Sequence, residues 1–123
     1  METSPNKQTV ERYLDGFRRT DHDQILACLT DDIRWTVFGA FVLEGKAAYD
    51  AAIEGPGFAG DPELEVVRMV EEHETIMAEL RGRVPQPDGS MKRLAMAEVF
   101  VMREGLICER RAWVVPLAEG DVW

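Results

Sequence analysis

Apolar residues recur every three or four positions near the start of the chain, which is the spacing of one face of an α-helix. A Ser4-Pro5 pair precedes them, and this pair is typical of a helix start. The pattern therefore predicts a first helix over about residues 5–19. Its apolar face carries four large residues: Val10, Tyr13, Leu14 and Phe17.

Two shorter helices are predicted after the first. Thr20 and Asp21 offer a polar start for the second helix, which is expected to end near Thr30. The third helix is predicted over residues 46–54, with Tyr49 on its apolar side. The stretch GPGFAGDP that follows cannot form a regular element, because Gly and Pro occupy five of its eight positions.

The second half of the chain alternates between apolar and polar residues, which is the period of a β-strand. Helices grouped at the front and consecutive antiparallel strands behind them predict an α+β fold. We expect one domain over residues 1–123, with residues 117–123 as a loose C-terminal tail. The strands are predicted over residues 31–39, a short piece at 41–43, and then 64–72, 75–84, 91–102 and 106–116.

Composition and charge narrow the class of function. The 123 residues carry a net charge of −9, which disfavours nucleic acid and anionic membrane surfaces as partners. No apolar run is long enough to span a bilayer and no apolar signal core is present, so we expect a cytoplasmic protein. The two cysteines match no zinc pattern, and His22 is expected to be exposed or to cap its helix. We therefore expect neither a metal nor a cofactor.

One carboxylate interrupts the apolar face of the predicted strand 91–102. Every second residue on that face is large and apolar, except Glu98. The same parity on the last strand places Arg110 on the inner face, and two interpretations follow. Glu98 and Arg110 either form a cross-strand ion pair, or Glu98 stays unpaired, so that its apolar surroundings favour the protonated form and poise it for proton transfer.

Four stretches of the chain resemble the NTF2-like superfamily, in particular its SnoaL-like and ketosteroid-isomerase-like branch. The resemblance implies a cone-shaped, curved antiparallel sheet (a cystatin-like roll) packed on three N-terminal helices, with a cavity lined by the inner sheet face. It also implies a homodimer through the outer sheet face, which would include Trp113. The stretches are VERYLDGFRRTDHDQILACLTDDIRW, WTVFG with LEGKAAY, MAELRGRVPQPDGS and EVFVMREGLICERRAW.

The resemblance carries over only some functional residues. Tyr13 and Glu98 match the tyrosine and the protonated acid of the ketosteroid isomerases, but the position of their catalytic base is Val37, which cannot take a proton. The positions of the epoxide-hydrolase Arg and Asp residues are likewise unfilled. They correspond to Leu80, Gly82 and Ala112.

These observations predict a cavity that binds a small, largely apolar or carbonyl-containing molecule. Glu98 and Tyr13 are the candidate catalytic residues for an isomerase-, cyclase- or dehydratase-like proton transfer. The alternatives are a binding protein without chemistry and a protein-interaction module. The glycines of residues 55–62 would allow that loop to open and close over the cavity. The candidate ligand-binding residues are Phe17, Trp35, Val37, Phe58, Leu80, Met96, Phe100, Arg110 and Ala112.

Overall fold

The computed structural model describes residues 4–123, and it confirms the α+β prediction. Three helices precede or interrupt the strands, and all strands belong to one sheet. The helices are α1 (Pro5–Arg18), α2 (His22–Ala27) and α3 (Lys46–Ile53). The strands are β1 (Leu29–Val37), β2 (Phe41–Glu44), β3 (Glu63–Glu72), β4 (Thr75–Pro85), β5 (Met91–Arg103) and β6 (Leu106–Leu117).

The junction between α2 and β1 differs from the prediction. Helix α2 ends at Ala27, three residues before the predicted end at Thr30, and Leu29 already belongs to β1. Strand pairing takes over at this point, because the backbone N–H of Ile107 donates to the carbonyl oxygen of Cys28 at 2.8 Å. Leu29, whose spacing suggested a longer helix, is therefore the first residue of β1.

The sheet has the strand order β2-β1-β6-β5-β4-β3. All neighbours are antiparallel except β1 and β6, so the sheet is mixed, unlike the purely antiparallel sheet that was expected. Register shifts interrupt the β1–β6, β3–β4 and β5–β6 pairs. Such bulges bend strands and increase their twist, and the six-stranded sheet is curved and does not close. This curvature agrees with the predicted cone shape of the sheet.

The core lies between the helices and this inner face. Tyr13 and Leu14 of α1, Ile25 of α2 and Tyr49 of α3 are at most 1% exposed, as is Phe100 of β5. Helices α1 and α2 approach closely, because a Cβ placed on Gly16 would lie 2.9 Å from Cγ1 of Ile25. None of the helices within residues 4–123 is long and apolar enough to cross a membrane.

The C-terminal residues are fixed to the outer sheet face, although a loose tail was expected. Nη2 of Arg93 donates to the carbonyl oxygens of Ala118 at 3.0 Å and Asp121 at 3.2 Å. Arginine over an aromatic ring is an attractive contact, and alternation alone does not reveal it. The guanidinium carbons of Arg81, Arg83 and Arg93 lie 5.6, 5.0 and 5.4 Å from the ring centroid of Trp123.

His22 joins α2 to α3, although it was expected to be exposed or to act as a cap. Its Nδ1 lies 2.5 Å from Oδ1 of Asp50, and its Nε2 lies 2.5 Å from Oε2 of Glu54. Hydrogen bonds to Asp50 and then to Glu54 raise the pKa of His22 above 6.5, against a smaller lowering by burial. The imidazole of His22, when protonated, therefore donates to Asp50 and Glu54 and connects the two helices.

We expect His22→Gln to lower the urea midpoint in mildly acidic solution and to have less effect as the pH rises. A pKa raised in the folded state gives stability that is complete below the unfolded value of 6.5. That stability is lost as the pH rises through the higher folded-state value. Urea unfolding of both proteins between about pH 6 and 9 measures it. A difference between the proteins that does not change with pH would show that the charged ring contributes nothing.

Candidate functional site

A half-enclosed pocket of about 190 Å³ lies between the helices and the inner face of β3, β4 and β5. Its walls are almost entirely apolar, and the Gly- and Pro-rich stretch 55–62 supplies part of them. The two charged residues among those that line it stand together at one end. The lining residues are Leu14, Phe17, Thr20, Ile53, Phe58, Gly60, Pro62, Leu64, Leu80, Val84, Leu94, Met96, Glu98 and Arg110.

The charged end of the pocket is a buried ion pair between Glu98 and Arg110. Nε of Arg110 donates to Oε1 of Glu98 at 2.8 Å, and Nη2 donates to Oε2 at 2.8 Å. The strand register explains the contact, because Glu98 pairs with Ala112 and Phe100 pairs with Arg110. The two charged residues are thus diagonal neighbours on the inner face. The interpretation of Glu98 as an unpaired acid is therefore wrong.

Two tyrosines complete this cluster. Nη1 of Arg110 donates to the hydroxyl oxygen of Tyr13 at 2.6 Å and to that of Tyr49 at 3.2 Å, and the two hydroxyls are hydrogen-bonded to each other. Burial raises the pKa of both hydroxyls more than the charge of Arg110 lowers it. Both tyrosines therefore remain protonated at neutral pH. We call Glu98, Arg110, Tyr13 and Tyr49 the polar cluster.

Arg110 remains a cation in this buried position. Burial by itself would lower the pKa of its guanidinium, but the charge of Glu98 and the tyrosine hydroxyls outweigh this effect and raise it well above the ordinary value. The ring of Trp35 also lies close, with its centroid 4.5 Å from the guanidinium carbon. Within residues 4–123, Nη2 of Arg110 carries two N–H groups but donates only to Glu98, so it retains an N–H without a protein acceptor. Because Arg110 lines the pocket, its guanidinium is a candidate donor to a molecule there.

The pocket includes about half of the predicted site residues. Phe17, Phe58, Leu80, Met96 and Arg110 line it, together with Glu98. Tyr13 does not line the pocket, but its hydroxyl oxygen accepts a hydrogen bond from Arg110, which does. Whether any of these residues binds a ligand stays a prediction.

Four predicted ligand-binding residues lie outside the pocket. Trp35 stacks on Tyr49, with ring centroids 4.6 Å apart, and Phe100 is 0% exposed in the core. Val37 and Ala112 pair with each other where β1 meets β6. All four lie on the face of the sheet that alternation predicted. They are covered by the helices, however, and do not line the pocket.

Other residues of the site were not predicted from the sequence. Tyr49 was placed on the apolar side of the third helix, but nothing in its spacing indicates contact with Arg110. Gly82 leaves the space that Met96 occupies, because a Cβ there would lie 2.8 Å from Cε of Met96. Within residues 4–123, no group of three or more His, Cys, Asp or Glu side chains is arranged to hold a metal ion. The unpredicted lining residues are Leu14, Thr20, Ile53, Gly60, Pro62, Leu64, Val84 and Leu94.

Comparison with known protein families shows to which family this chain belongs. A family model described as a SnoaL-like domain matches residues 10–110. The chain belongs to the SnoaL-like domain family. The match extends from α1 into β6, so it includes every residue of the polar cluster. No curated protein matches the sequence.

Solved structures show the same SnoaL-like fold at low sequence identity. An LEH-like epoxide hydrolase from M. tuberculosis has a TM-score of 0.81 and 18% identity, over 94% of this chain and 86% of that one. An NTF2-like protein of unknown function from Burkholderia pseudomallei has a TM-score of 0.79 and 23% identity, over 89% and 90%. TerC, co-crystallized with polyporic acid, has a TM-score of 0.78 and 20% identity, over 89% and 90%. These likenesses confirm the NTF2-like fold.

Proposed function

We propose that the protein binds a small, largely apolar molecule in the pocket, with a polar end directed at the polar cluster. The observation that carries this proposal is an apolar pocket of about 190 Å³ with the Glu98–Arg110 ion pair at one end. An apolar cavity of about 150 Å³ is large enough to bind benzene. The pocket therefore suits a molecule with one ring and a short substituent.

The position of Phe58 supports this proposal. Phe58 stands on the Gly- and Pro-rich stretch 55–62, lines the pocket and is 38% exposed. The end of this stretch is held to the corner between α1 and α2, because Oγ1 of Thr20 donates to Oδ1 of Asp61 at 2.6 Å. A molecule that fills the pocket would cover the ring of Phe58 and gain its apolar contact.

Methyl NMR of the methionines tests the binding. Met96 lines the pocket on β5, whereas Met77 of β4 lies on the opposite sheet face and is 52% exposed. With a simple ketone such as acetophenone as the probe, the Met96 methyl signal is expected to shift in a saturable way and the Met77 signal to stay. A Met77 shift without a Met96 shift would contradict binding in the pocket.

Proton-transfer catalysis by Glu98 and Tyr13 is a second candidate function. It is favoured by one observation: Glu98 lines the pocket and belongs to the same hydrogen-bonded cluster as Tyr13. The geometry favours simple binding instead, because both oxygens of Glu98 already accept hydrogen bonds from Arg110. A carboxylate held in this way is poorly placed to collect a proton from a substrate.

We expect the protein not to accelerate deuterium exchange at the carbon beside the carbonyl of a bound ketone in heavy water. The reason is the bidentate hydrogen bonding of Glu98 to Arg110. Mass spectrometry of the recovered ketone measures the exchange, with ketone alone as the control. Saturable exchange that is lost in Glu98→Gln would establish the catalytic function in place of binding alone.

The outer sheet face is proposed to pair with a second copy of the chain. Trp113 stacks on Phe38 with ring centroids 4.6 Å apart, and the two side chains are 40% and 42% exposed. Arg111 and Glu109 on the same face carry opposite charges, which suits a self-complementary two-fold contact. Light scattering of the protein and of Trp113→Glu tests this, and a monomeric wild type would overturn it.

The cytoplasmic location stays a prediction.

A further inference from the structure

We infer that Glu98 sets the charge selectivity of the pocket: by cancelling the charge of Arg110, it makes the pocket select neutral hydrogen-bond acceptors over carboxylates of the same shape. This inference rests on the proposed binding function. It gives Glu98 the role of a specificity-determining counter-ion. It also narrows the ligand class to neutral ketones, aldehydes, esters or alcohols with an apolar body.

The first step is the charge balance at the pocket floor. Glu98 is 1% exposed and Arg110 is 9% exposed, and two parallel hydrogen bonds of 2.8 Å join them. Within residues 4–123 they are the only charged residues that line the pocket. The tyrosine hydroxyls of the polar cluster remain neutral, because burial keeps their pKa values above the ordinary range. The floor therefore carries no net charge.

The second step is the hydrogen-bonding capacity that this floor offers. Nη2 of Arg110 donates one N–H to the carboxylate of Glu98 and has a second N–H that can donate to a ligand. A neutral carbonyl or hydroxyl oxygen needs one donor to offset the loss of its bond to water. One available N–H therefore suits a neutral acceptor, and a pure hydrocarbon leaves that N–H without a partner.

The third step concerns charged ligands. A carboxylate loses strong hydration on entering an apolar pocket and needs an unbalanced cation to replace it. Arg110 does not supply one, since its charge is already matched by Glu98, whose oxygens would repel the incoming anion. A protonated amine would meet Arg110 instead. The net charge of −9 on the whole chain acts in the same direction against anions.

Four probes of one shape test the inference on the wild-type protein: acetophenone, benzoate, ethylbenzene and benzylamine. Titrations followed by the Met96 methyl signal give the dissociation constants. Acetophenone is expected to bind about tenfold more tightly than ethylbenzene, since a hydrogen bond to a charged group contributes about that factor. Benzoate and benzylamine are expected to bind more weakly than ethylbenzene. Benzoate that binds as tightly as acetophenone would overturn the inference.

The variant Glu98→Gln gives the sharper test, because it leaves the charge of Arg110 unbalanced. Its ratio of benzoate to acetophenone affinity is expected to rise at least about tenfold over the wild type. The double variant Glu98→Leu with Arg110→Met has neither a buried charge nor a hydrogen-bond donor at these two positions, and it covers the case in which the single variant does not fold. It is expected to lose the preference for acetophenone over ethylbenzene and to gain no affinity for benzoate. An unchanged benzoate ratio in Glu98→Gln, or a retained ketone preference in the double variant, would overturn the inference.

The outcomes also separate this inference from the proposed function. If ethylbenzene shifts the Met96 signal and binds as tightly as acetophenone, the selectivity is wrong but binding in the pocket stands. If none of the four probes shifts the Met96 signal at saturating concentration, both the inference and the proposed binding function are overturned.

Discussion

Arg110→Met is expected to lower the free energy of unfolding by about 3–5 kcal/mol, the usual effect of removing one partner of a buried ion pair. Glu98 is 1% exposed, so its carboxylate would remain in the core without a counter-ion. The hydroxyls of Tyr13 and Tyr49 would also lose the N–H donors that they accept from. This is a large part of the stability of a domain, which is typically about 5–15 kcal/mol.

Urea unfolding at neutral pH measures this effect, and a double variant controls for the change in volume. Glu98→Gln with Arg110→Met removes both charges, so it is expected to be more stable than Arg110→Met alone. An Arg110→Met variant as stable as the wild type would mean that the ion pair is not formed in solution.

The charge at the pocket floor shows how far alternation along a strand can predict a site. The pattern of β5 placed Glu98 on the inner face, and the matching parity of β6 placed Arg110 there as well. Alternation could not decide whether they meet, because a diagonal contact depends on side-chain conformation and strand register. The bidentate geometry became visible only with both strands in place.

The residues outside the pocket show a second limit. Trp35, Val37 and Ala112 lie on the predicted face of the sheet, but β1 and β6 belong to the half of the sheet that α3 covers. The pocket lies along β3, β4 and β5, together with Arg110 of β6. Parity fixes the face of a residue, whereas its position across the sheet depends on strand order. The parallel pairing of β1 with β6 sets that order, and it joins segments far apart in sequence.

Tyr49 and Trp123 illustrate contacts that no local pattern encodes. Tyr49 reaches Arg110 because α3 packs over β1, and a helix face identifies only which side is buried. Trp123 meets three arginines that come from two different strands. The resemblance to the NTF2-like superfamily predicted the helices and the sheet but contains no information on these side chains, because the fold hosts many different sites.

Leu80→Ala is expected to lower the free energy of unfolding by about 2–5 kcal/mol and to enlarge the pocket. Leu80 is 1% exposed, yet its side chain lines the pocket wall on β4. Truncation removes its packing contacts, and the space it leaves joins a cavity that already exists. A longer ketone, butyrophenone, is therefore expected to bind the variant more tightly than the wild type. Acetophenone is expected to bind the variant more weakly, because it loses contact with the leucine.

Unfolding with and without each ketone measures both effects, because a ligand that binds only the folded state stabilises it according to its concentration and affinity. Met77→Ala is the matched control on the same strand. Met77 points to the other sheet face and is 52% exposed, so its truncation is expected to change stability by less than about 0.5 kcal/mol. It should leave the order of the two ketones unchanged. If Leu80→Ala loses stability but keeps the wild-type preference between the ketones, Leu80 is a core residue and the ligand lies elsewhere.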